Sequence, residues 1–101
     1  MSDRRLDTIR DLIRRDEWDV TDHVLLDYLE PGEFSLDDIE ISILTGQITK
    51  RERDDLHQAI CGYKYTISGR TASGRPFKTV GKIVESEDGR MYLVITGVKN
   101  G

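Results

Sequence analysis

The hydrophobic period of this chain changes at Gly46, and that switch limits the folds open to it more than any other feature. Before Gly46 the apolar residues recur at helical spacing; after it they alternate, with β-branched and aromatic residues enriched. Leu6, Ile9, Leu12 and Ile13 fall on one face of a helix over about residues 4 to 15. Val24, Leu25, Tyr28 and Leu29 do the same for a short second helix, with Thr21 or Asp22 placed to cap it and Pro31-Gly32 to end it. Ser35 opens SLDDIEISILTG with Asp38 three residues on, a capping box with Asp in place of Glu. Leu36, Ile39 and Ile43 form its expected buried stripe.

Downstream, QITKRERDD (47 to 55) holds one clear apolar residue, Ile48, in a charge run, and reads as a polar edge strand or a loop. YKYTISGRT, PFKTVGKIVES and RMYLVITGV read as strands, joined by turns at ASG and EDG. Helices followed by a meander predict one α+β domain over residues 1–101, with N-terminal helices packed on one face of a C-terminal antiparallel sheet.

Register follows from the turns. A three-residue loop Ala72-Ser73-Gly74, with Gly74 supplying positive φ, sets Thr71 opposite Arg75. Tyr63, Tyr65, Ile67, Phe77, Thr79 and Ile83 then share one side, whereas a two- or four-residue loop would put Tyr65 and Ile67 with Lys78 and Lys82. Treating Glu87-Asp88-Gly89 likewise adds Met91, Leu93 and Ile95 to the core side. The opposite face would carry Lys64, Thr66, Ser68, Arg70, Lys78, Val80, Lys82, Val84, Tyr92, Val94, Thr96 and Val98. Lys64 lands opposite Lys82, which is unfavourable, and the valines beside them form an apolar patch. A face both cationic and apolar points to a partner, or to self-association as a homodimer through Val80, Val84, Val94 and Val98.

Charge narrows the partners. Residues 1 to 49 hold 5 basic and 13 acidic side chains and residues 50 to 101 hold 10 and 6, so the net −4 divides into −8 and +4. An acidic chain opposes non-specific nucleic-acid affinity, while a basic second half keeps a local binding face open. No window reaches the roughly 18 apolar residues of a membrane span. The arginines of MSDRRLDTIR precede no apolar run, so no secretory leader is expected; with Cys61 alone, no disulfide framework is expected and the setting is a reducing cytoplasm. Two separated histidines and one cysteine give no metal-ligand spacing, and no cofactor is expected.

Thr21-Asp22-His23, Ser35 to Gly46, Tyr65-Thr66-Ile67-Ser68-Gly69-Arg70-Thr71, Gly74-Arg75-Pro76 and Leu93-Val94-Ile95-Thr96 together resemble a bacterial domain family of unknown function numbered 4258, over about residues 5 to 98. That family is similar to the RelE and BrnT toxin group. The resemblance implies a compact α+β fold, a type II toxin-antitoxin component, and a zinc-ribbon or helix-turn-helix antitoxin as partner. It departs from the pattern at Leu26-Asp27-Tyr28-Leu29-Glu30, where the family is often basic, and at Lys78, where the family often has His.

Metal-free RNA cleavage needs a base, an acid and cations around the developing charge. His23, Lys78 and Lys82 are the catalytic candidates: His23 as proton shuttle, the lysines as point charges. Arg70, Arg75 and Lys64 are candidate phosphate contacts, and Tyr92 a candidate stacking platform for a base. The competing readings are local. His23 and Asp27, four apart, would hydrogen-bond along a helix; Arg75 would flank a turn glycine; Cys61 would be a small buried hydrophobe. A non-catalytic module that binds a protein or an RNA is the alternative function.

Overall fold

The computed structural model describes residues 4–87 and 89–99, Val98 and Lys99 by backbone alone. Its elements run α1 (Arg4–Arg14), β1 (Trp18–Val20), α2 (Asp22–Val24) continuing as a π-helical turn (Leu25–Leu29), α3 (Leu36–Thr45), β2 (Gln47–Arg53), β3 (Tyr63–Arg70), β4 (Pro76–Ser86) and β5 (Gly89–Lys99). The class is α+β. One five-stranded sheet has the order β1-β5-β4-β3-β2, antiparallel throughout the β2–β5 meander, with β1 added parallel to β5.

Each helix is set by local chemistry. In α1 the expected stripe is buried, and Leu6, Ile9, Leu12 and Ile13 all lie within the core. Ser35 caps α3 with the reciprocal box: the Asp38 amide donates to Ser35 Oγ, and the Ser35 amide donates to the Asp38 carboxylate, both at 3.1 Å. Thr21 does occupy the N-cap of α2, but its hydroxyl donates to the Ile95 carbonyl at 3.2 Å and caps nothing. Two expected core leucines are outside: Leu36 is 51% exposed and Leu25 is 41% exposed. Leu36 is the first residue of its helix, and the buried stripe of α3 closes on Ser42 instead, whose hydroxyl is satisfied by the Ile39 carbonyl.

The first hairpin has the expected register. Arg70 pairs with Pro76 and Ile67 with Thr79, the Thr71 amide donates to the Arg75 carbonyl, and Gly74 has φ +87°. Tyr65, Ile67, Phe77, Thr79 and Ile83 are accordingly buried, with Tyr63 half-buried. The second hairpin does not follow the same count. Ser86 pairs with Gly89 and Glu85 with Arg90, so two residues, not three, separate the paired ends. That one-residue difference turns β5 over. Tyr92 and Val94 are fully buried, while Met91, Leu93 and Ile95 are only partly covered. A bulge between Val80 and Gly81 then restores the longer register, and Thr96 faces Val80 again.

The buried Tyr92 explains Gly81. A Cβ at Gly81 would lie 2.4 Å from Tyr92 Cζ and Oη, so the ring occupies the space a side chain would need. The Tyr92 hydroxyl is buried with no hydrogen-bond partner among the described residues, and burial pushes its pKa well above the ordinary tyrosine value. Removing an unsatisfied buried hydroxyl relieves a desolvation cost of about 1–3 kcal/mol. Tyr92→Phe is therefore expected to raise the melting temperature; a fall would show that the hydroxyl contributes to stability.

One strand was not legible in the sequence. Trp18–Val20 pairs in parallel with Tyr92–Val94 at the sheet edge, and three residues carry too little alternation to be read. The polar run after Gly46 forms a strand: β2 is the other edge, almost wholly exposed. No helix among the described residues is long and apolar enough to cross a membrane.

Candidate functional site

The hairpin tip is anchored before it can present anything. Asp38, the capping residue of α3, also accepts the Ala72 amide at 3.1 Å. The amide of Ser35 holds its carboxyl below the usual range against the opposing effect of burial, with Ala72 adding to the fall. On the other flank the Arg75 guanidinium donates to the Glu33 carbonyl at 3.3 Å and lies 5.1 Å from the centre of the Phe34 ring. Phe34 stacks in turn on Phe77 at 4.1 Å between ring centres. Arg75 thus ties the turn to the segment before α3, and stands on a different side from Arg70.

Arg70 and Lys78 do come together. With Thr45, Ser68, Gly69, Pro76 and Phe77 they line a depression of about 310 Å³. Ser68 pairs directly with Lys78 across β3 and β4, and its hydroxyl is 3.0 Å from Thr49 Oγ1. Arg70 gives one N–H to the Gly74 carbonyl at 2.9 Å, which fixes the guanidinium over the turn. Among the described residues the Lys78 ammonium has no hydrogen-bond or ion-pair partner. The site therefore offers a positioned guanidinium, an unpaired ammonium and a hydroxyl, which together suit a phosphate.

The other candidates lie elsewhere. Lys82 does not share an open cationic face: it is 1% exposed, and its ammonium contacts Asp54 Oδ1 at 3.1 Å. The expected clash with Lys64 is absent because β3 and β4 stop pairing at Tyr65–Gly81, and Lys64 instead faces Glu52 on β2. Beyond that point the loop after β2 takes the place of β3 beside β4. Ala59 bridges to Val84, and the Ile60 amide donates to the Ile83 carbonyl at 2.9 Å. Tyr92 is in the core and presents no ring to a base. Val94 is buried with it, which breaks up the valine patch on which self-association was argued.

His23 takes the local role. Its Nδ1 contacts Asp27 Oδ2 at 2.7 Å, and its Nε2 lies 3.3 Å from Thr96 Oγ1. Both ring nitrogens are engaged, and His23 does not line the Arg70–Lys78 depression. Among the described residues no other histidine, and no carboxylate, lines it either. Among the described residues no group of three or more His, Cys, Asp or Glu side chains is arranged to hold a metal.

Sequence reasoning missed Asp54. Its carboxylate accepts the amides of Leu56, Gln58 and Ala59 at 3.3, 2.8 and 2.7 Å, besides the Lys82 ammonium. Burial alone would raise its pKa; the Ala59 amide, Lys82, Gln58 and Leu56 outweigh that and bring it down to about 2. An aspartate at the start of a short polar stretch, DDLHQA, is the signal that was available. Cys61 is half-buried rather than buried, with Sγ 3.2 Å from Tyr65 Oη. No protein-family model, curated protein or solved structure matches this chain.

Proposed function

We propose that this chain is a phosphate-binding α+β module of RelE/BrnT-like form, with its N-terminal helices over one sheet face, that holds single-stranded RNA through Arg70 and Lys78 without cutting it. One observation carries this reading: Arg70, Lys78 and Ser68 line a single depression that, among the described residues, contains cations and hydroxyls but no histidine or carboxylate. Cleavage of RNA by its own 2′-hydroxyl requires a group that moves a proton within hydrogen-bond reach. His23, the residue offered for that role, is committed to Asp27 and Thr96. The toxin resemblance then describes ancestry of form, and an antitoxin-like protein remains a fitting partner for a fold of this kind in a cytoplasmic setting.

The test is fluorescence anisotropy with an end-labelled single-stranded RNA, read beside a denaturing gel. Binding is expected to weaken as salt rises, with a log–log slope of roughly −1.4 for two phosphate contacts. Arg70→Ala/Lys78→Ala should weaken binding by about tenfold or more and flatten that slope, while the RNA stays intact throughout. Unchanged affinity in the double variant would remove the site. Cleavage by the native chain that the double variant loses would replace this reading with a metal-independent endonuclease.

A further inference from the structure

β1 lies at one end of the strand order and meets only β5, so one side of it is an open sheet edge among the described residues. The bonds that flank it run from the Tyr92 amide to the Glu17 carbonyl and from the Thr21 amide to the Val94 carbonyl, both at 3.0 Å. In a parallel pair one residue sends both of its main-chain groups to the neighbouring strand, and the next sends both away. Glu17, Asp19 and Thr21 therefore address β5, and the main-chain groups of Trp18 and Val20 turn to the open side. One of these is engaged locally: the Val20 amide donates to Asp19 Oδ1 at 2.8 Å. The Trp18 amide and the carbonyls of Trp18 and Val20 face outward, the pattern that a further strand reads.

A cleft runs along this edge. Asp16, Trp18, Asp19, Val20 and Leu36 line a depression of about 250 Å³. Its chemistry alternates with the strand. Trp18 and Val20 pair with Tyr92 and Val94 and share their face, where both pack against the core. Leu36, exposed as the first residue of α3, joins them in the cleft. Asp19 pairs with Leu93 and points to the opposite face. A strand laid along β1 alternates in the same way, with one set of side chains over Trp18, Val20 and Leu36 and the other beside Asp19. Among the described residues the charged groups lining the cleft are both acidic, Asp16 and Asp19. Arg15, next to them in sequence, is turned to Asp11 and Glu17 at 3.2 and 3.3 Å. A second copy of β1 laid on this edge would set Asp19 against Asp19, which like charges oppose; lysine or arginine at that register is attracted.

We propose that the free edge of β1 is a docking site for an extended segment of another protein, one in which apolar residues alternate with lysine or arginine, added to the sheet as a further strand. It shares no residue with the Arg70–Lys78 site and stands or falls separately from it. The test is titration of the full chain with an end-blocked hexapeptide of alternating valine and lysine. Trp18 is the single tryptophan of the sequence, so its emission reports on the cleft. A saturable change in that emission is expected, with slower hydrogen exchange at the Trp18 amide. Leu36→Gln and Asp16→Asn/Asp19→Asn should each weaken binding by about fivefold or more, the first through lost apolar burial and the second through lost charge attraction. All three positions are exposed, and Asp19→Asn retains a side-chain oxygen for the Val20 amide, so an unaltered melting temperature serves as the fold check. Arg70→Ala/Lys78→Ala should bind the peptide as the native chain does. Absence of a saturable change overturns the proposal. So does equal binding of a valine–glutamate hexapeptide, of a valine–lysine hexapeptide N-methylated throughout, or by the Leu36→Gln and Asp16→Asn/Asp19→Asn variants. Self-association in light scattering that excludes the peptide also overturns it, and assigns the edge to a second copy through its exposed, basic β2.

Discussion

Asp54→Ala is expected to lower the free energy of unfolding by about 3–5 kcal/mol, the cost of leaving a buried charge without its partner. The substitution strands the Lys82 ammonium, which is 1% exposed, and frees three amides that the carboxylate now receives. Those amides belong to the loop that lies beside β4, so its protection from hydrogen exchange should fall first. Lys82→Met alone should cost less than Asp54→Ala, because the carboxylate retains its three amide donors. Asp54→Leu/Lys82→Met should recover the part of the loss that comes from the stranded ammonium, since apolar replacement of both members of such a pair is often close to neutral, while the three amides without an acceptor keep it less stable than the native chain. Additive losses in the double variant would show that the pair is not a coupled unit. The same carboxylate sets an acid limit. Its folded pKa is lowered to about 2 against an ordinary 3.8, so its contribution is fully present above about pH 4 and is lost as pH falls toward 2. Denaturant unfolding across that window, on the native chain and on Asp54→Ala, checks the sign: the stability difference between them should shrink as pH falls.

Gly69→Ala is expected to cost about 3 kcal/mol or to prevent folding. A Cβ there would lie 2.0 Å from the Ser42 carbonyl oxygen and 2.8 Å from its carbon, both backbone atoms of α3. Overpacking against a side chain can relax through a rotamer change, but here helix and strand would have to separate. Gly46 shares the contact, its added Cβ meeting the Ser42 and Ser68 carbonyl oxygens at 2.5 and 2.6 Å. Gly74→Ala supplies the contrast. Gly74 has φ +87° and nothing within 4 Å of an added Cβ, so only the backbone conformation opposes the change, at about 1 kcal/mol. Urea unfolding of both variants separates the cases; similar losses would mean that α3 moves away from β3 without penalty.

The two hairpins show how far local sequence reaches. Around Gly74 the apolar residues on both strands agree on one loop length, and the structure has that register. Around Gly89 the same inference selected Met91, Leu93 and Ile95 for the core, because on β5 either face is apolar enough to be buried. Alternation decides register only where the two faces differ. The bulge at Val80–Gly81 reinforces the lesson, since it lets one strand be read correctly at Thr96 and wrongly at Tyr92.

The candidate sites divide along the same line. Arg70 and Lys78 were legible because both lie close to the turn that fixes the first hairpin. Lys82 was misplaced because alternation gives the face of a residue and says nothing of what folds over that face, here the loop from Asp54 to Gly62. The helices, the Ser35 cap of α3, the change of period at Gly46 and the first hairpin were legible because all are products of contacts within a few residues. Which face of β5 is buried, and the place of Lys82 as an interior ion-pair partner, depend instead on packing between segments distant in the chain.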